Sequence, residues 1–339
     1  MSIASIVNLI GDTPLIRLNR LSEATGCEIL GKAEFLNPGQ SIKDRAALSI
    51  VQKAKASGAL RPGGVIVEGT AGNTGIGLAL VGAALGHRVV IVMPRTQSEE
   101  KKLAIRALGA RLIEVDAAPF SSPNHFVHYS EEVARKLNAS EPHGAFWANQ
   151  FDNIANRAAH YEGTAAEIWK QTGGRVDAFV SAVGSGGTLA GVGAFLRERN
   201  PDVKIALADP AGASLYNWFS QGQMTGEGSS ITEGIGVARI TGNLEGFTPD
   251  FAYRVEDAEF LPILFDLVTH EGLSLGGSSG VNLAGAVRLA RDLGPGKTIV
   301  TVLCDPGTRY ASRLFNPAFL RSKGLPTPQW IAEDVREVA

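Results

Sequence analysis

The 339-residue chain carries almost no net charge, because 32 lysine and arginine residues nearly balance 34 aspartate and glutamate residues. It also has no run of like charge. Proteins that bind a nucleic-acid backbone or an acidic membrane usually concentrate positive charge in one part of the chain. The balance therefore excludes nucleic acid and membrane surfaces as expected partners and favours a small molecule or another protein.

Cysteine and long apolar runs are scarce as well. The two cysteines, Cys27 and Cys304, lie far apart, and Cys304 ends the apolar run TIVTVLC, where a buried reduced thiol is expected. No segment approaches the ~18 to 20 apolar residues of a membrane span. The first residues, MSIASIVNLIGDTPLI, have no basic leader followed by an apolar core. These absences predict a soluble, cytoplasmic protein.

The signatures of several enzyme classes are missing. His125 and His128 stand three apart, but no cysteine or acidic residue completes a ligand set, so we expect a surface pair and no metal. No G-x-S-x-G elbow indicates a hydrolase. Leu189 stands where a dinucleotide-binding G-x-G-x-x-G would need glycine. We expect four consecutive charged residues to form the solvent-exposed face of a helix: Glu99, Glu100, Lys101 and Lys102.

Short apolar runs alternate with helical patterns. One set predicts strands at 64–69, 88–94 and 111–116, separated by helices at 74–86 and 96–109. A second set predicts strands at 177–184, 203–210 and 298–305, with helices at 188–199, 257–271 and 279–293. This alternation predicts parallel sheets covered on both faces. Thr96 and Glu99 form a capping box that predicts one helix start. The long connection at 222–250 is expected to be functional or disordered.

Glycine is abundant: 40 residues is nearly twice the share expected from an average of about 7%. The glycines cluster in three turns that follow predicted strands and open predicted helices: EGTAGNTGIG (68–77), VGSGGTLAG (183–191) and LGGSSGVNLAG (275–285). Ligands of open α/β sheets bind at the carboxyl ends of strands, where the chain turns into the next helix. The three turns therefore predict one ligand-binding crevice.

Each turn has a chemical and a structural interpretation. GSGGT at 184–188 can converge its N–H groups on a phosphate, with Thr188 adding a hydroxyl, or can simply be a tight turn. AGNTG at 71–75 offers free N–H groups to a carboxylate, whereas Asn73 is equally an Asx-turn former. In GGSSG at 276–280, Ser278 or Ser279 is expected to cap the following helix.

The segment NPGQSIKDRAAL (37–48) places Lys43 at the start of a predicted helix. Ser41 and Asp44 form an S-x-x-D capping pattern for a helix beginning at Ile42. Desolvation and the positive helix end both favour the neutral amine, which is the form that condenses with aldehydes. Alone, this lysine would be expected at the surface. Beside a phosphate-binding turn and a carboxylate-binding turn, it predicts pyridoxal 5'-phosphate, an aldehyde cofactor that bears a phosphate.

The chain resembles the cysteine synthase (O-acetylserine sulfhydrylase) group of the fold type II pyridoxal phosphate enzymes, with the cystathionine β-synthases as close relatives. The resemblance covers nearly the whole chain and rests, in order, on IGDTPLIRLNRL, NPGQSIKDRAA, EGTAGNTGIGLAL, WANQFDN, GSGGTLAG, TEGIG, GGSSG and CDPGTRYASRLFN. It implies a tryptophan synthase β-like α/β fold with two open, mostly parallel twisted sheets flanked by helices. It also implies an active site between a larger cofactor-binding domain, 1–38 plus 154–339, and a smaller mobile domain, 39–153.

The resemblance assigns roles to individual residues. Lys43 would hold the cofactor as an internal aldimine and then remove the substrate Cα proton. Ser278 would contact the pyridine nitrogen, with Ser279 as the alternative. Gly234, grouped with the substrate-binding residues, would approach the cofactor from the second domain. The cofactor phosphate would be bound by Gly184, Ser185, Gly186, Gly187 and Thr188. The ring hydroxyl would be bound by Asn73. The substrate α-carboxylate would be bound by Thr70, Ala71, Asn73, Thr74 and Gln150.

The implied reaction is a β-replacement in which O-acetyl-L-serine loses acetate to give an α-aminoacrylate and sulfide adds to give L-cysteine. Alternatives are a cystathionine β-synthase-type or other β-replacement or β-elimination enzyme that uses serine or phosphoserine, and a non-enzymatic regulatory homologue. A homodimer and binding of the C-terminal tail of serine acetyltransferase are further implications. Two positions depart from the pattern, Ala71 and Pro306, where serine is commoner. One carboxylate contact and the hydrogen bonding near the ring nitrogen are therefore expected to differ.

Overall fold

The computed structural model describes residues 3–328 and 330–331. In chain order the strands are β1 (Leu15–Arg17), β2 (Glu28–Ala33), β3 (Val65–Gly69), β4 (Arg88–Pro94), β5 (Arg111–Val115), β6 (Ala145–Trp147), β7 (Ala178–Ser181), β8 (Lys204–Pro210), β9 (Phe251–Val255) and β10 (Thr298–Leu303). They form two sheets, and only the pairing of β1 with β2 is antiparallel. The predicted α/β class with mostly parallel strands is confirmed.

Helices separate most of these strands. They are α1 (Asn19–Thr25), α2 (Lys43–Ala56), α3 (Asn73–Ala84), α4 (Glu99–Ala107), α5 (Phe126–Ser140), α6 (Ala155–Ala159), α7 (Ala166–Gln171), α8 (Gly187–Arg199), α9 (Leu215–Gln221), α10 (Asp257–Glu271), α11 (Gly277–Leu293) and α12 (Pro317–Ser322). A π-helical turn, His160–Ala165, joins α6 to α7. Short 3₁₀ turns lie at Ile6–Leu9, Glu34–Leu36 and Gly307–Tyr310. None of the described helices is long and apolar enough to cross a membrane.

The larger sheet has six strands in the order β1-β2-β10-β7-β8-β9. Its central strands β7, β8 and β10 are almost completely buried, as expected for parallel strands that helices cover on both faces. Phe260 and Leu264 of α10 pack in the core on one face together with α11, and Leu189 and Val192 of α8 pack in the core on the other.

The smaller sheet has four parallel strands in the order β5-β4-β3-β6. Ile50 of α2 and Leu78 of α3 are buried in the core on one face, whereas Ala134 of α5 packs against Val67 on the other. All four strands lie within residues 39–153, and the six strands of the larger sheet lie outside that range. The domain division, 1–38 plus 154–339 and 39–153, stays a prediction.

Three predicted helix starts are wrong. Helix α4 begins at Glu99 instead of 96 with Ser98 as its N-cap, so the predicted capping box of Thr96 and Glu99 is wrong, and Glu99 Oε1 accepts from Lys102 Nζ at 2.6 Å. Helix α2 begins at Lys43, one residue after the expected Ile42. Helix α11 begins at Gly277 with Gly276 as N-cap, so neither serine of GGSSG is the cap. At α11 a tertiary contact engages one of the two predicted caps, because Ser279 Oγ accepts from Cys304 N–H, whereas the Ser41 and Asp44 side chains at α2 bond locally to Lys43 N–H and Gly39 N–H.

Candidate cofactor and substrate site

A cavity of about 320 Å³ is lined by residues of the turns that follow strands of both sheets and of neighbouring segments. The turn after β3, residues 70–74, lies on one side, and the turn after β7, residues 184–188, lies on another. Both turns follow the carboxyl end of a parallel strand, which is where ligands of open α/β sheets bind. Every predicted site residue except Gly187 lines this cavity.

Lys43 begins α2 and its side chain lines the cavity. Burial lowers the pKa of its amine and the positive charge of Lys101 lowers it further, although Cys304 and Asp305 act in the opposite direction. The two predicted capping residues, Ser41 and Asp44, make different hydrogen bonds from those of a capping box. Ser41 Oγ accepts from Lys43 N–H at 3.3 Å, and the Asp44 carboxylate reaches back to Gly39 N–H instead of Ser41. These contacts hold the helix start, and with it Lys43, in a fixed position.

The turn at 184–188 presents backbone donors that have no acceptor. Among the described residues, none of the N–H groups from Gly184 to Thr188 finds a hydrogen-bond partner in the protein. The glycines are required by close packing. A Cβ on Gly184 would lie 2.4 Å from Gly234 O, and one on Gly187 would lie 2.3 Å from Asn156 Oδ1. Such a row of free N–H groups at a helix N-terminus binds phosphate.

Side chains from other parts of the chain form hydrogen bonds to this turn. Asn156 Nδ2 donates to Ser185 Oγ at 2.7 Å, and Thr241 Oγ1 donates to Ser185 O at the same distance. His160, on the π-helical turn, places Nε2 3.3 Å from Thr188 Oγ1. Burial and the nearby cations Arg45 and Lys43 hold the pKa of His160 well below its ordinary value, so the ring is neutral.

The turn at 70–74 also presents backbone N–H groups, which suit a carboxylate. Thr70 Oγ1 accepts from Gly72 N–H at 3.1 Å, but the N–H groups of Ala71, Asn73 and Thr74 find no acceptor among the described residues. Thr74 donates its hydroxyl to Gln150 Oε1 at 2.5 Å, which places the Gln150 amide nitrogen beside the turn. Free N–H groups and the Gln150 amide therefore line the same cavity.

Asn73 does not form the simple Asx turn that was an alternative. Its Nδ2 donates to Asp305 Oδ2 at 2.6 Å, and its Oδ1 accepts from Arg309 Nη1 at 2.7 Å. Tyr310 donates its hydroxyl to the same Asp305 Oδ2 at 2.6 Å, and Arg309 also donates to Gly39 O. The turn after β3 is thus joined to the segment after β10 through buried polar contacts.

Comparison with known proteins identifies the family. The family profile described as "Pyridoxal-phosphate dependent enzyme" matches residues 6–305. This chain belongs to that family. It is 51% identical over 325 residues to cysteine synthase 1 of Neurospora crassa, covering 94% of this chain and 85% of that protein. It is 40% identical over 326 residues to the cystathionine beta-synthase of Apis mellifera, covering 95% of this chain and 63% of that protein.

A solved structure has the same fold. The crystal structure of O-ureido-L-serine synthase matches with a TM-score of 0.84 and 35% sequence identity, covering 94% of this chain and 96% of that one. The predicted fold type, with two mostly parallel sheets flanked by helices, is therefore confirmed, as is the predicted dependence on pyridoxal phosphate.

The residues present fit this cofactor. A buried amine with a lowered pKa, at Lys43, is the group that an aldehyde needs. The unpartnered N–H groups of 184–188 lie in the same cavity and suit its phosphate. Ser278 lines the cavity, whereas the fully buried Ser279 Oγ accepts from Cys304 N–H at 2.9 Å and so faces away. Of the two serines, Ser278 is the one that a ligand reaches.

The two departures from the family pattern lie in different surroundings. Ala71 lines the cavity, and its carbonyl lies 3.1 Å from the side-chain nitrogen of Gln97 once that amide is oriented toward its acceptors. Pro306 lies outside the cavity lining and pairs with Leu275 in an isolated antiparallel bridge. Cys304, two residues before Pro306, does line the cavity, and burial raises the pKa of its thiol to about 11.

Some expectations about the surroundings of the site are wrong. Lys101 and Lys102 are 1% and 4% exposed instead of solvated. Lys101 lines the cavity and pairs with Glu233, and Lys102 pairs with Glu99 and Glu114. His125 is half-buried and lines the cavity beside Phe120, so the two histidines are not a plain surface pair. No group of three or more potential metal ligands occurs in the part of the chain that the structure describes.

Sequence reasoning also missed residues that support the site. Asn156, His160, Asp305 and Arg309 each bond to a predicted site residue. Asp305 and Arg309 lie inside the quoted segment CDPGTRY, so that motif was the available signal for them. His160 and Asn156 follow the quoted WANQFDN without belonging to it, and nothing in their local pattern marks them.

Proposed function

We propose that this enzyme makes L-cysteine and acetate from O-acetyl-L-serine and sulfide. One observation carries the proposal: the half-buried Lys43, the phosphate-type turn at 184–188 and the carboxylate-type turn at 70–74 line a single cavity. When bound, pyridoxal phosphate withdraws electrons from the substrate Cα and so makes its proton removable. The 51% identity to a cysteine synthase supports this reaction over the cystathionine β-synthase alternative.

In this proposal Lys43 Nζ moves the proton. The amine would hold the cofactor in the resting enzyme and, once free, would accept the substrate Cα proton. The acetate leaves from Cβ, and hydrosulfide adds at Cβ as Lys43 Nζ returns the proton to Cα. A lysine whose pKa is lowered by burial is suited to accept and return a proton near neutral pH.

The turn at 70–74 and Gln150 orient the amino acid. Free N–H groups of Ala71, Asn73 and Thr74 would take the α-carboxylate, with the Gln150 amide as a further donor. Holding that carboxylate fixes the direction of the Cα proton toward Lys43. Gly234 would lie against the substrate, since it lines the cavity and has no side chain to obstruct it.

The turn at 184–188 and Ser278 hold the cofactor in this proposal. Thr188 can donate its hydroxyl to the phosphate only if it accepts from His160 Nε2–H, which leaves His160 Nδ1 to accept from Thr164 at 3.0 Å. Asn73 would contact the ring hydroxyl. Ser278, a neutral partner for the pyridine nitrogen, favours prompt loss of the β-substituent over slower carbanion chemistry, because it does not hold the ring protonated.

The test is a substrate assay on the purified holoenzyme. We expect O-acetyl-L-serine to change the visible spectrum of the bound cofactor, and subsequent sulfide to restore it with stoichiometric cysteine. A spectrum that ignores O-acetyl-L-serine but responds to serine with homocysteine, or to phosphoserine, would replace the first choice with one of the alternatives. A protein that binds no cofactor and turns over nothing would support the regulatory homologue.

Lys43→Ala should abolish cysteine formation, with a loss of about 10³-fold or more for removal of a group that is both cofactor anchor and base. The matched control is Lys53→Ala on the same helix. Lys53 is half-exposed and pairs with Glu162 at the surface, so its removal should leave turnover unchanged. Normal turnover in Lys43→Ala would refute the role given to this residue.

Assembly, partners and location remain proposals that rest on the family resemblance. We propose a homodimer, a smaller domain at 39–153 that closes on the remainder of the chain, and a cytoplasmic location. We also propose that the cleft accepts the C-terminal tail of serine acetyltransferase. A tail peptide that competes with O-acetyl-L-serine would support the last point, and a peptide without effect on the cofactor spectrum would remove it.

A further inference from the structure

A buried ion pair crosses the cavity from one sheet to the other. Lys101 lies on α4, beside the smaller sheet, and Glu233 lies in the long connection between α9 and β9 of the larger sheet. Lys101 Nζ is 2.6 Å from Glu233 Oε2, and the two side chains are 1% and 5% exposed. Both residues line the cavity. The reaction proposed above uses neither of them.

On one side, Lys101 supports the carboxylate-binding turn. Its aliphatic chain packs so closely on Gly72 that a Cβ there would lie 2.4 Å from Lys101 Cδ. Gly72 has φ of +143°, a conformation that only glycine adopts readily. The Lys101 ammonium also lies 4.4 Å from the centre of the Tyr310 ring. The position of Lys101 therefore determines where the turn at 70–74 can lie.

On the other side, Glu233 belongs to the wall of the cofactor site. It precedes Gly234, whose carbonyl packs against Gly184 of the phosphate-type turn. Arg313 Nη1 lies 2.7 Å from Glu233 Oε1, an ion-pair contact without the geometry of a hydrogen bond. The Gln97 amide, oriented toward its acceptors, lies 3.1 Å from Ala71 O and 3.2 Å from Glu233 Oε2. A second polar contact therefore runs beside the ion pair between the same two walls.

A buried pair of this kind is a geometric device more than a source of stability. The desolvation of two charges offsets much of their attraction, but removal of Glu233 leaves the buried Lys101 ammonium without the carboxylate that it pairs with, and removal of Lys101 leaves Glu233 paired with Arg313 alone. The pair thus strongly favours one relative position of the two walls. Since the turn at 70–74 holds the carboxylate through free N–H groups, a small shift of that turn weakens several hydrogen bonds at once.

We propose that the Lys101–Glu233 ion pair is a latch that holds the turn at 70–74 against the segment 233–239 and thereby sets the affinity for the α-carboxylate of the amino acid substrate. The two residues are positioning residues, because they act on the substrate through the turn. The inference rests on the proposed function for its kinetic test. Its structural test does not depend on that function.

The kinetic test compares variants of the holoenzyme. Lys101→Met keeps the aliphatic chain and removes the charge, and we expect KM for O-acetyl-L-serine to rise at least about tenfold while kcat changes less than about threefold. Glu233→Gln should do the same. The double variant should be no worse than the poorer single variant, because both remove one interaction. Lys101→Arg, which retains the charge, should lie close to the parent protein.

The matched control is Lys32→Met. Lys32 is fully buried and pairs with Glu167 at 2.7 Å, but it lies outside the cavity lining. We expect this variant to lose thermal stability with KM unchanged. If Lys101→Met fails to fold, Glu233→Asp is the alternative variant, because it keeps both charges and shortens the acidic side chain. Its KM is expected to lie between those of the parent protein and Glu233→Gln. KM values that stay within about twofold of the parent, or that rise equally in the Lys32 variant, would overturn the proposal.

The structural test is hydrogen exchange in the substrate-free holoenzyme. We expect faster exchange of the hydrogen-bonded amides of Thr70, Gly72 and Gly236, in the two segments that the latch joins, in Lys101→Met than in the parent protein, and no such change in Lys32→Met. Unchanged exchange at both segments in Lys101→Met would refute the latch. If the parent protein does not turn over O-acetyl-L-serine at all, the proposed function fails, and the exchange result still decides whether the latch exists.

Discussion

His160 and Thr188 are 28 positions apart in the sequence, and yet the imidazole lies 3.3 Å from the threonine hydroxyl. The histidine is fully buried and neutral, so it can donate from one nitrogen only. If that nitrogen is Nε2, the hydroxyl of Thr188 is left to donate to the cofactor phosphate. A single imidazole tautomer therefore determines whether this hydroxyl is a donor to the ligand.

We expect His160→Ala to weaken cofactor affinity by about tenfold, since one hydrogen bond to a buried group contributes roughly 1 to 1.5 kcal/mol. Spectroscopic titration of the cofactor-free protein with pyridoxal phosphate measures this. His160→Gln places a side-chain amide donor near the position of Nε2 and should recover part of the affinity. Equal losses in the Ala and Gln variants would mean that the histidine acts by packing alone.

Glu68 is a buried carboxyl group at the end of β3, and burial raises its pKa to about 8. Glutamate in an unfolded chain titrates at about 4.3. Between these values the folded protein holds a proton that the unfolded chain has lost. The contribution of Glu68 to the free energy of unfolding is therefore largest below the unfolded pKa. It is lost as the pH rises through the folded pKa.

The side chain of residue 68 cannot ionise in the Glu68→Gln variant, so the variant should not lose stability as the pH rises. We expect its unfolding temperature to exceed that of the parent protein by several degrees at about pH 8, with a gap that narrows toward about pH 5. Circular dichroism melts across this pH range provide the measurement. Glu23→Gln at an exposed site is the control and should show no such trend. A pH-independent gap for Glu68→Gln would contradict the assignment.

At the scale of elements, two glycines are needed for different reasons, one in the turn between β7 and α8 and the other at the end of α10. Gly186 has φ of +86°, and a Cβ there would lie 2.3 Å from Cγ of the buried Leu244. Gly272, at the end of α10, has φ of +68° but faces open space. The two positions separate backbone strain from the steric consequence of a side chain.

Gly272→Ala should therefore lose about 1 kcal/mol of unfolding free energy from strain alone. Gly186→Ala should lose about 1 to 3 kcal/mol more from overpacking, and should also bind pyridoxal phosphate more weakly, because the phosphate-type turn must shift. Denaturant melts and cofactor titration test both effects. Comparable stability and affinity in the two variants would show that the turn tolerates displacement.

The three mistaken helix starts belong to this scale as well. Each candidate cap is a polar side chain whose local partner is a backbone N–H one turn away. Ser279 instead accepts from Cys304 N–H, and Glu99 accepts from Lys102 Nζ. A cap is predictable only where no other group competes for the same side chain.

At the scale of the whole molecule, Arg309 connects the two sheets. It follows β10 of the larger sheet and donates to Asn73 Oδ1 and Gly39 O, which flank α3 and α2 beside the smaller sheet. Asn73 in turn donates to Asp305. These contacts are buried, so loss of the guanidinium leaves acceptors on the other side without a donor.

We expect Arg309→Met to lower the free energy of unfolding by about 2 to 4 kcal/mol, because it removes two charge-assisted hydrogen bonds from a buried site. Differential scanning calorimetry should show a lower and broader transition as the two halves lose part of their coupling. Arg321→Met, at an exposed position on α12, is the control and should melt as the parent does. An unchanged, equally sharp transition in Arg309→Met would contradict this role.

Local sequence was sufficient where an apolar run is bounded by turn residues. Strands β3 and β4 and helix α10 occur within a residue or two of the predicted limits. The short or half-buried strands β1 and β9 were not predicted, because their apolar faces are incomplete. The same contrast holds at the cavity, where residues in contiguous glycine-rich turns were predicted and the half-buried His125 was not.

The sequence by itself determined the strand–helix alternation, the glycine-rich turns and the lysine at a helix start, because each depends on neighbours within a few residues. Only the tertiary structure decided that Ser278 and not Ser279 lines the cavity, that Lys101 is buried against Glu233, and that Asn73 bonds to a segment 232 residues away. Local periodicity sets which backbone forms, but the partner of a buried polar group depends on which elements the sheets bring together.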